Sequence, residues 1–221
     1  MTAKRSLTVL IILMLLPVLC GSAIKLPELT DIEGHWAEEY IIECTKRGIC
    51  VGYENGCFMP AEPITRAEFT KMVVNAFNLS ELERSSDSEL RTAEIKYPAF
   101  EDVENHWSKP YVEAAFITGI IKGVSESKFM PDKPLSRQDA VLILSRVEVY
   151  LGKKLIERVD EVKFIDTDYI RDECRTAVYH FQKNGIISGK TGNIFDPIGS
   201  MNRAEACKCV ILTIIAFETP S

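Results

Sequence analysis

Three arginines stand at the head of three apolar helical patterns, each inside a near-identical septet. The septets are Pro63-Ile64-Thr65-Arg66-Ala67-Glu68-Phe69, Pro134-Leu135-Ser136-Arg137-Gln138-Asp139-Ala140 and Ser200-Met201-Asn202-Arg203-Ala204-Glu205-Ala206. Helix initiation explains most of each septet. Thr65-x-x-Glu68 and Asn202-x-x-Glu205 are capping boxes, and Ser136-x-x-Asp139 is a shorter version. It does not explain the arginine, because the macrodipole disfavours a cation at the first helical position. Two chemistries are open. Arg66, Arg137 and Arg203 either pair with a carboxylate of their own unit, with Asp31, Asp102 and Asp166 as candidates, or present a guanidinium to an anionic ligand. The free amides of a helix start would assist the second.

Trp36 and Trp107, each preceded by a histidine, pose a similar choice: core residues, or platforms on which a sugar ring stacks. Asp172-Glu173 replaces His-Trp in the third unit. The elements that position these residues repeat with them. Gly48 to Arg66, Gly119 to Arg137 and Gly185 to Arg203 are each 18 positions apart, and a second glycine (Gly52, Gly123, Gly189) and a Phe-x-Pro fall at fixed offsets between. Such a period defines a three-repeat protein. Units of about 50 residues are marginal alone, so the three are expected to pack together.

Each unit reads as helix–loop–helix. Ala37, Tyr40, Ile41 and Cys44 follow the apolar spacing of a helix that Gly48 terminates, as Gly119 and Gly185 do in the other units. The second helix presents Phe69, Met72, Val73 and Ala76, with equivalents later in the chain, and short strands are possible in the loop between. The units span residues 27–79, 99–151 and 163–217, joined by linkers 80–98 and 152–162; the first linker has room for a helical turn or two.

A net charge of −6 argues against nucleic acid as a partner, since a phosphate-binding surface is basic. Lys4 and Arg5 precede an apolar run over residues 7–16, and Gly21-Ser22-Ala23 supplies small residues, so residues 1–23 read as a secretory signal peptide. The run is shorter than the ~20 residues of a membrane span, so no membrane association is expected after cleavage. Export permits disulfides. Cys50 and Cys57 flank a turn and are the one pairing expected; Cys44 and Cys174 fit as small buried thiols. Neither a C-x-x-C pair nor a histidine cluster suggests a metal site, and no cofactor is expected.

These motifs together resemble the S-layer homology (SLH) module family. The first unit carries Asp31-Ile32, His35-Trp36-Ala37, Gly48-Ile49, Gly52-Tyr53, Gly56, Phe58-Met59-Pro60 and Ile64 through Glu68; the others carry Asp102-Val103, His106-Trp107 and Phe129-Met130-Pro131, and Ile165-Asp166, Phe195-Asp196-Pro197 and Arg203-Ala204-Glu205. The resemblance implies a mainly α fold, with three tandem modules packed as a pseudo-threefold trimer around a central helix bundle and grooves between neighbours. It also implies non-covalent attachment to the bacterial cell surface through an anionic, pyruvylated secondary cell wall polysaccharide. Carried over by motif, Arg66, Arg137 and Arg203 would grip the acidic sugar. Asp31, Asp102 and Asp166 would hydrogen-bond hydroxyls or orient the arginines, Trp36 and Trp107 would line the groove, and Gly52, Gly123 and Gly189 would let backbone approach the ligand. The second and third units lack the Gly-Tyr-x-x-Gly loop, which makes the first the best candidate for intact binding.

The leading expectation is therefore a secreted, wall-binding anchor that is not an enzyme. The alternative is an envelope structural or adaptor protein that uses the same scaffold to bind another surface protein, a reading prompted by the absence of a cargo domain before Ser221.

Overall fold

The computed structural model describes residues 29–79, 100–155 and 163–219. The signal peptide expected over residues 1–23 and the helical turns expected in the first linker lie outside the described residues. Among the described residues the protein is helical and contains no strand: α1 (Glu38–Lys46) and α2 (Arg66–Ala76) in the first unit, α3 (Lys109–Ile117) and α4 (Arg137–Tyr150) in the second, α5 (Asp172–Lys183) and α6 (Arg203–Glu218) in the third. No helix among these residues is long and apolar enough to cross a membrane. In place of the short strands allowed for the loops, only isolated bridges form.

The helix boundaries follow from the expected local chemistry. Thr65 and Asn202 close reciprocal capping boxes with Glu68 and Glu205. Ser136 accepts the Asp139 amide, but the Asp139 carboxylate does not return to the backbone; Ser136 Oγ donates to it at 2.6 Å instead. Gly48, Gly119 and Gly185 follow the first helices with φ of 68°, 73° and 71°, a conformation glycine adopts without steric cost.

Packing runs between units more than within them. The first helix of each unit lies on the second helix of the preceding one, so α3 packs on α2, α5 on α4, and α1 returns to α6; α2 and α4 both also touch α6. Backbone bonds close the same circuit at the helix starts. Ile64 N donates to Met201 O, Met201 N to Leu135 O and Leu135 N to Ile64 O, each at 2.9 Å. These three side chains are almost wholly buried in one hydrophobic core that draws on all three units. A unit too small to bury its own apolar stripe thus buries it against a neighbour.

Candidate functional site

Each septet arginine crosses to the next unit in the circuit. Its Nε donates to the carbonyl of the next unit's Phe-x-Pro phenylalanine: Arg66 to Phe129 O at 2.8 Å, Arg137 to Phe195 O at 2.8 Å and Arg203 to Phe58 O at 2.9 Å. A terminal nitrogen donates to the carbonyl just before the second glycine, on Lys122 at 3.1 Å, Ser188 at 2.9 Å and Val51 at 3.1 Å. The guanidinium also covers an aromatic face, with Arg66 Cζ 4.4 Å from the Phe129 centroid and Arg203 Cζ 4.6 Å from that of Phe58.

The candidate aspartates serve the same peptide from the other side. Asp31 accepts the Phe58 and Met59 amides at 2.7 Å each, Asp102 those of Phe129 and Met130 at 3.0 and 2.8 Å, and Asp166 those of Phe195 and Asp196 at 2.9 and 2.7 Å. The middle residue of each Phe-x-Pro sits at positive φ, 58° at Met59 and Met130 and 59° at Asp196. An L-residue takes that conformation at a cost, which the two amide bonds and the incoming arginine offset. Burial tends to raise the Asp31 carboxyl, but its backbone donors and the Arg203 charge outweigh this and hold it below the ordinary 3.8.

Of the two chemistries left open for the arginines, the ion pair with the same unit's aspartate does not form. The carboxylate comes from the next unit's septet: Arg137 Nη1 meets Glu205 Oε1 at 2.6 Å and Arg203 Nη1 meets Glu68 Oε1 at 3.0 Å. In both glutamates the second oxygen completes the capping box, accepting Asn202 N at 3.0 Å and Thr65 N at 2.8 Å. One side chain is long enough to serve helix start and arginine together. Arg137 and Arg203 are correspondingly buried, 2% and 6% exposed.

The Arg66 junction lacks this closure. The equivalent carboxylate, Asp139, is one methylene shorter; one oxygen takes the Ser136 hydroxyl and the other meets Arg171 Nη2. Arg66 makes no ion pair among the described residues and is only half-buried, and burial lowers its guanidinium pKa. It opens onto a groove of about 640 Å³ lined by Lys122, Lys133, Arg146 and Arg171 as well as by Asp139 and Glu173. With Arg66, that is five cations against two carboxylates.

Trp36 and Trp107 remain 57% and 51% exposed, so of the two readings left open for them the core is ruled out. His35 Nδ1 accepts the Ala37 amide at 3.1 Å, and His106 Nδ1 lies 2.7 Å from Ser108 Oγ, so the histidines order the turn from which the indoles project. Trp36 lines a smaller groove of about 250 Å³ with Arg137, Glu205 and Lys208. Lys71 Nζ lies 5.7 Å from the Trp107 ring. At the Arg66 junction Glu173 lines the groove in place of an indole.

The second glycines have a packing role. A Cβ on Gly52 would lie 2.4 Å from Leu29 Cδ2, on Gly123 2.5 Å from Phe100 Cε1, and on Gly189 2.8 Å from Phe164 Cε1. The close approach is to each unit's own entry residue. Cys50 and Cys57, expected to pair, are free thiols; Cys57 Sγ contacts Thr30 Oγ1 at 3.8 Å, while Cys50 Sγ faces Cys207 Sγ at 3.8 Å. Sequence reasoning missed Arg171, Lys122 and Arg146, because basic residues on separate elements carry no spacing signal.

Residues 28–70 and 99–141 match the family model of the S-layer homology domain, which places one match in each of the first two units. The chain is 30% identical over 181 residues to an exoglucanase of Acetivibrio thermocellus, covering 81% of this chain and 16% of the relative. It is 29% identical over 187 residues to an S-layer protein of Bacillus licheniformis, covering 85% of this chain and 20% of the relative. A cellulosome-anchoring protein of Acetivibrio thermocellus is 31% identical over 127 residues, 57% of this chain and 26% of the relative. The chain thus spans a minor part of each relative. The domain matches and these relatives indicate a secreted protein associated with the cell surface.

Proposed function

We propose that the protein is a non-catalytic anchor that attaches to the cell surface by binding an anionic secondary cell wall polysaccharide in a groove between units, and that all three units are S-layer homology modules related by a pseudo-threefold axis. The anchoring reading draws on the two domain matches and on relatives named as S-layer and cellulosome-anchoring proteins. The single observation that carries the ligand's charge is Arg66, a septet arginine that makes no ion pair among the described residues, in a groove whose lining is cationic although the chain is net acidic. A guanidinium with donors to spare recognises a carboxylate in bidentate fashion, and a pyruvyl ketal supplies such a carboxylate. Exposed Trp36, in the smaller groove with Lys208, offers a stacking platform there, and exposed Trp107 offers a second beside Lys71.

Co-sedimentation with purified wall sacculi, before and after removal of the secondary polymer, tests this reading. Polymer-dependent binding that falls in Arg66→Gln, with helicity unchanged, is the expected result. Binding that survives stripping of the polymer rejects it and favours an adaptor that recognises another envelope protein.

A further inference from the structure

The three seams where a first helix lies on a second helix differ chemically at one equivalent set of positions. In the α2–α3 seam these positions hold Thr70, Ala115 and Ile121; in the α4–α5 seam they hold Val141, Phe181 and Ile187, all buried. In the α1–α6 seam they hold Cys207, Cys44 and Cys50, 0%, 0% and 8% exposed. The three sulfurs all lie within 4.8 Å of one another, with Cys50 Sγ 3.8 Å from Cys207 Sγ. The other seams fill this space with ordinary packing residues, so close packing does not call for three thiols converging on one point.

We infer that Cys44, Cys50 and Cys207 form a three-sulfur binding site for a soft metal ion of the copper(I) type, which ties the first unit to the third. Metal–sulfur bonds of about 2.3 Å place the sulfurs of a trigonal set roughly 4 Å apart, close to the spacing already present. Thiolates select soft ions. Among the described residues no histidine or carboxylate joins the cluster as a fourth ligand. Zinc takes four ligands, so a three-coordinate ion suits the site better. Binding forms three metal–sulfur bonds, releases the thiol protons to solvent and changes no oxidation state. The site is invisible to motif reading because Cys50 and Cys207 are 157 positions apart.

The test is an anaerobic titration of the reduced full chain with copper(I) acetonitrile against a competing chelator, read by the sulfur-to-copper charge-transfer absorbance. Saturation at one equivalent is expected, lost in Cys50→Ala and in Cys207→Ala and kept when Cys57, Cys174 and Cys209 are all changed to alanine. Circular dichroism confirms that the single variants are folded, and the copper-loaded wild type is expected to melt at a higher temperature than the apo form. No saturable band overturns the inference, as does a band that survives both substitutions. A Cys50–Cys207 disulfide in anaerobically isolated protein overturns it too, because those sulfurs are then bonded to each other. Tighter binding of zinc than of copper(I) at the same sulfurs overturns the three-coordinate assignment.

Discussion

The Arg137 and Arg66 junctions are built from the same septet on the same backbone frame, yet one is closed and the other open. At the first, Glu205 reaches both the Asn202 amide and the arginine; at the second, Asp139 reaches only Ser136 and Arg171. One methylene therefore separates a buried structural ion pair from a half-exposed cation beside a groove. The lesson is that a repeated residue need not repeat its role. The repeated bonds from arginine to the Phe-x-Pro carbonyl hold the units together, and the variable carboxylate decides whether charge is left over for a ligand.

The comparison breaks most decisively at the closed junction. Arg137→Ala removes one partner of a buried ion pair and leaves Glu205 and two carbonyls without their donor, a change that costs about 3–5 kcal/mol. Urea unfolding measures it, and a loss below about 1 kcal/mol would show that the ion pair is not structural. Arg66→Ala is expected to cost less stability, about 1–2 kcal/mol for two hydrogen bonds from a charged donor. Its larger effect is on polymer binding, where a tenfold loss corresponds to about 1.4 kcal/mol.

Asp31 tests the shared support of both kinds of junction. Its carboxyl is held below the ordinary 3.8 in the folded chain, so its contribution is complete above that value and is lost as pH falls through the lower folded one. Asp31→Asn should be less stable than wild type by about 1 kcal/mol at neutral pH and should lack that part of the acid-induced decline. Thermal unfolding between about pH 5 and pH 2 resolves the difference. The smallest expected effect is the most pointed. Asp139→Glu should let Arg66 gain the septet carboxylate that Arg137 and Arg203 have, raising stability by less than about 1 kcal/mol while weakening polymer co-sedimentation. Unchanged binding in that variant would separate ligand recognition from the free guanidinium.

Much of the fold was legible because it is local and repeated. The capping boxes at Thr65 and Asn202, the glycine ends at Gly48, Gly119 and Gly185, and the 3.6-residue apolar stripes are set by neighbours within a few positions. The arginines were legible as anomalies, since a cation at a helix start needs a reason. Their partners were not. The candidate partners Asp31, Asp102 and Asp166 accept loop amides, and which carboxylate meets an arginine is decided by which unit lies next in the circuit. The close approach of Gly52, Gly123 and Gly189 to Leu29, Phe100 and Phe164 was not legible either, because those residues stand more than twenty positions away.

The sequence by itself determined the repeat, the helices, the helix caps and the candidate residues, because each depends on chemistry within one turn or one loop. The tertiary structure alone decided that each arginine acts on the following unit, that Asp139 pairs with Arg171 and not with Arg66, and that Cys44, Cys50 and Cys207 meet. All three depend on side-chain reach across seams between distant segments. A difference of a single methylene can be read in the chain, but its consequence appears only when the facing carbonyls and cations are in place.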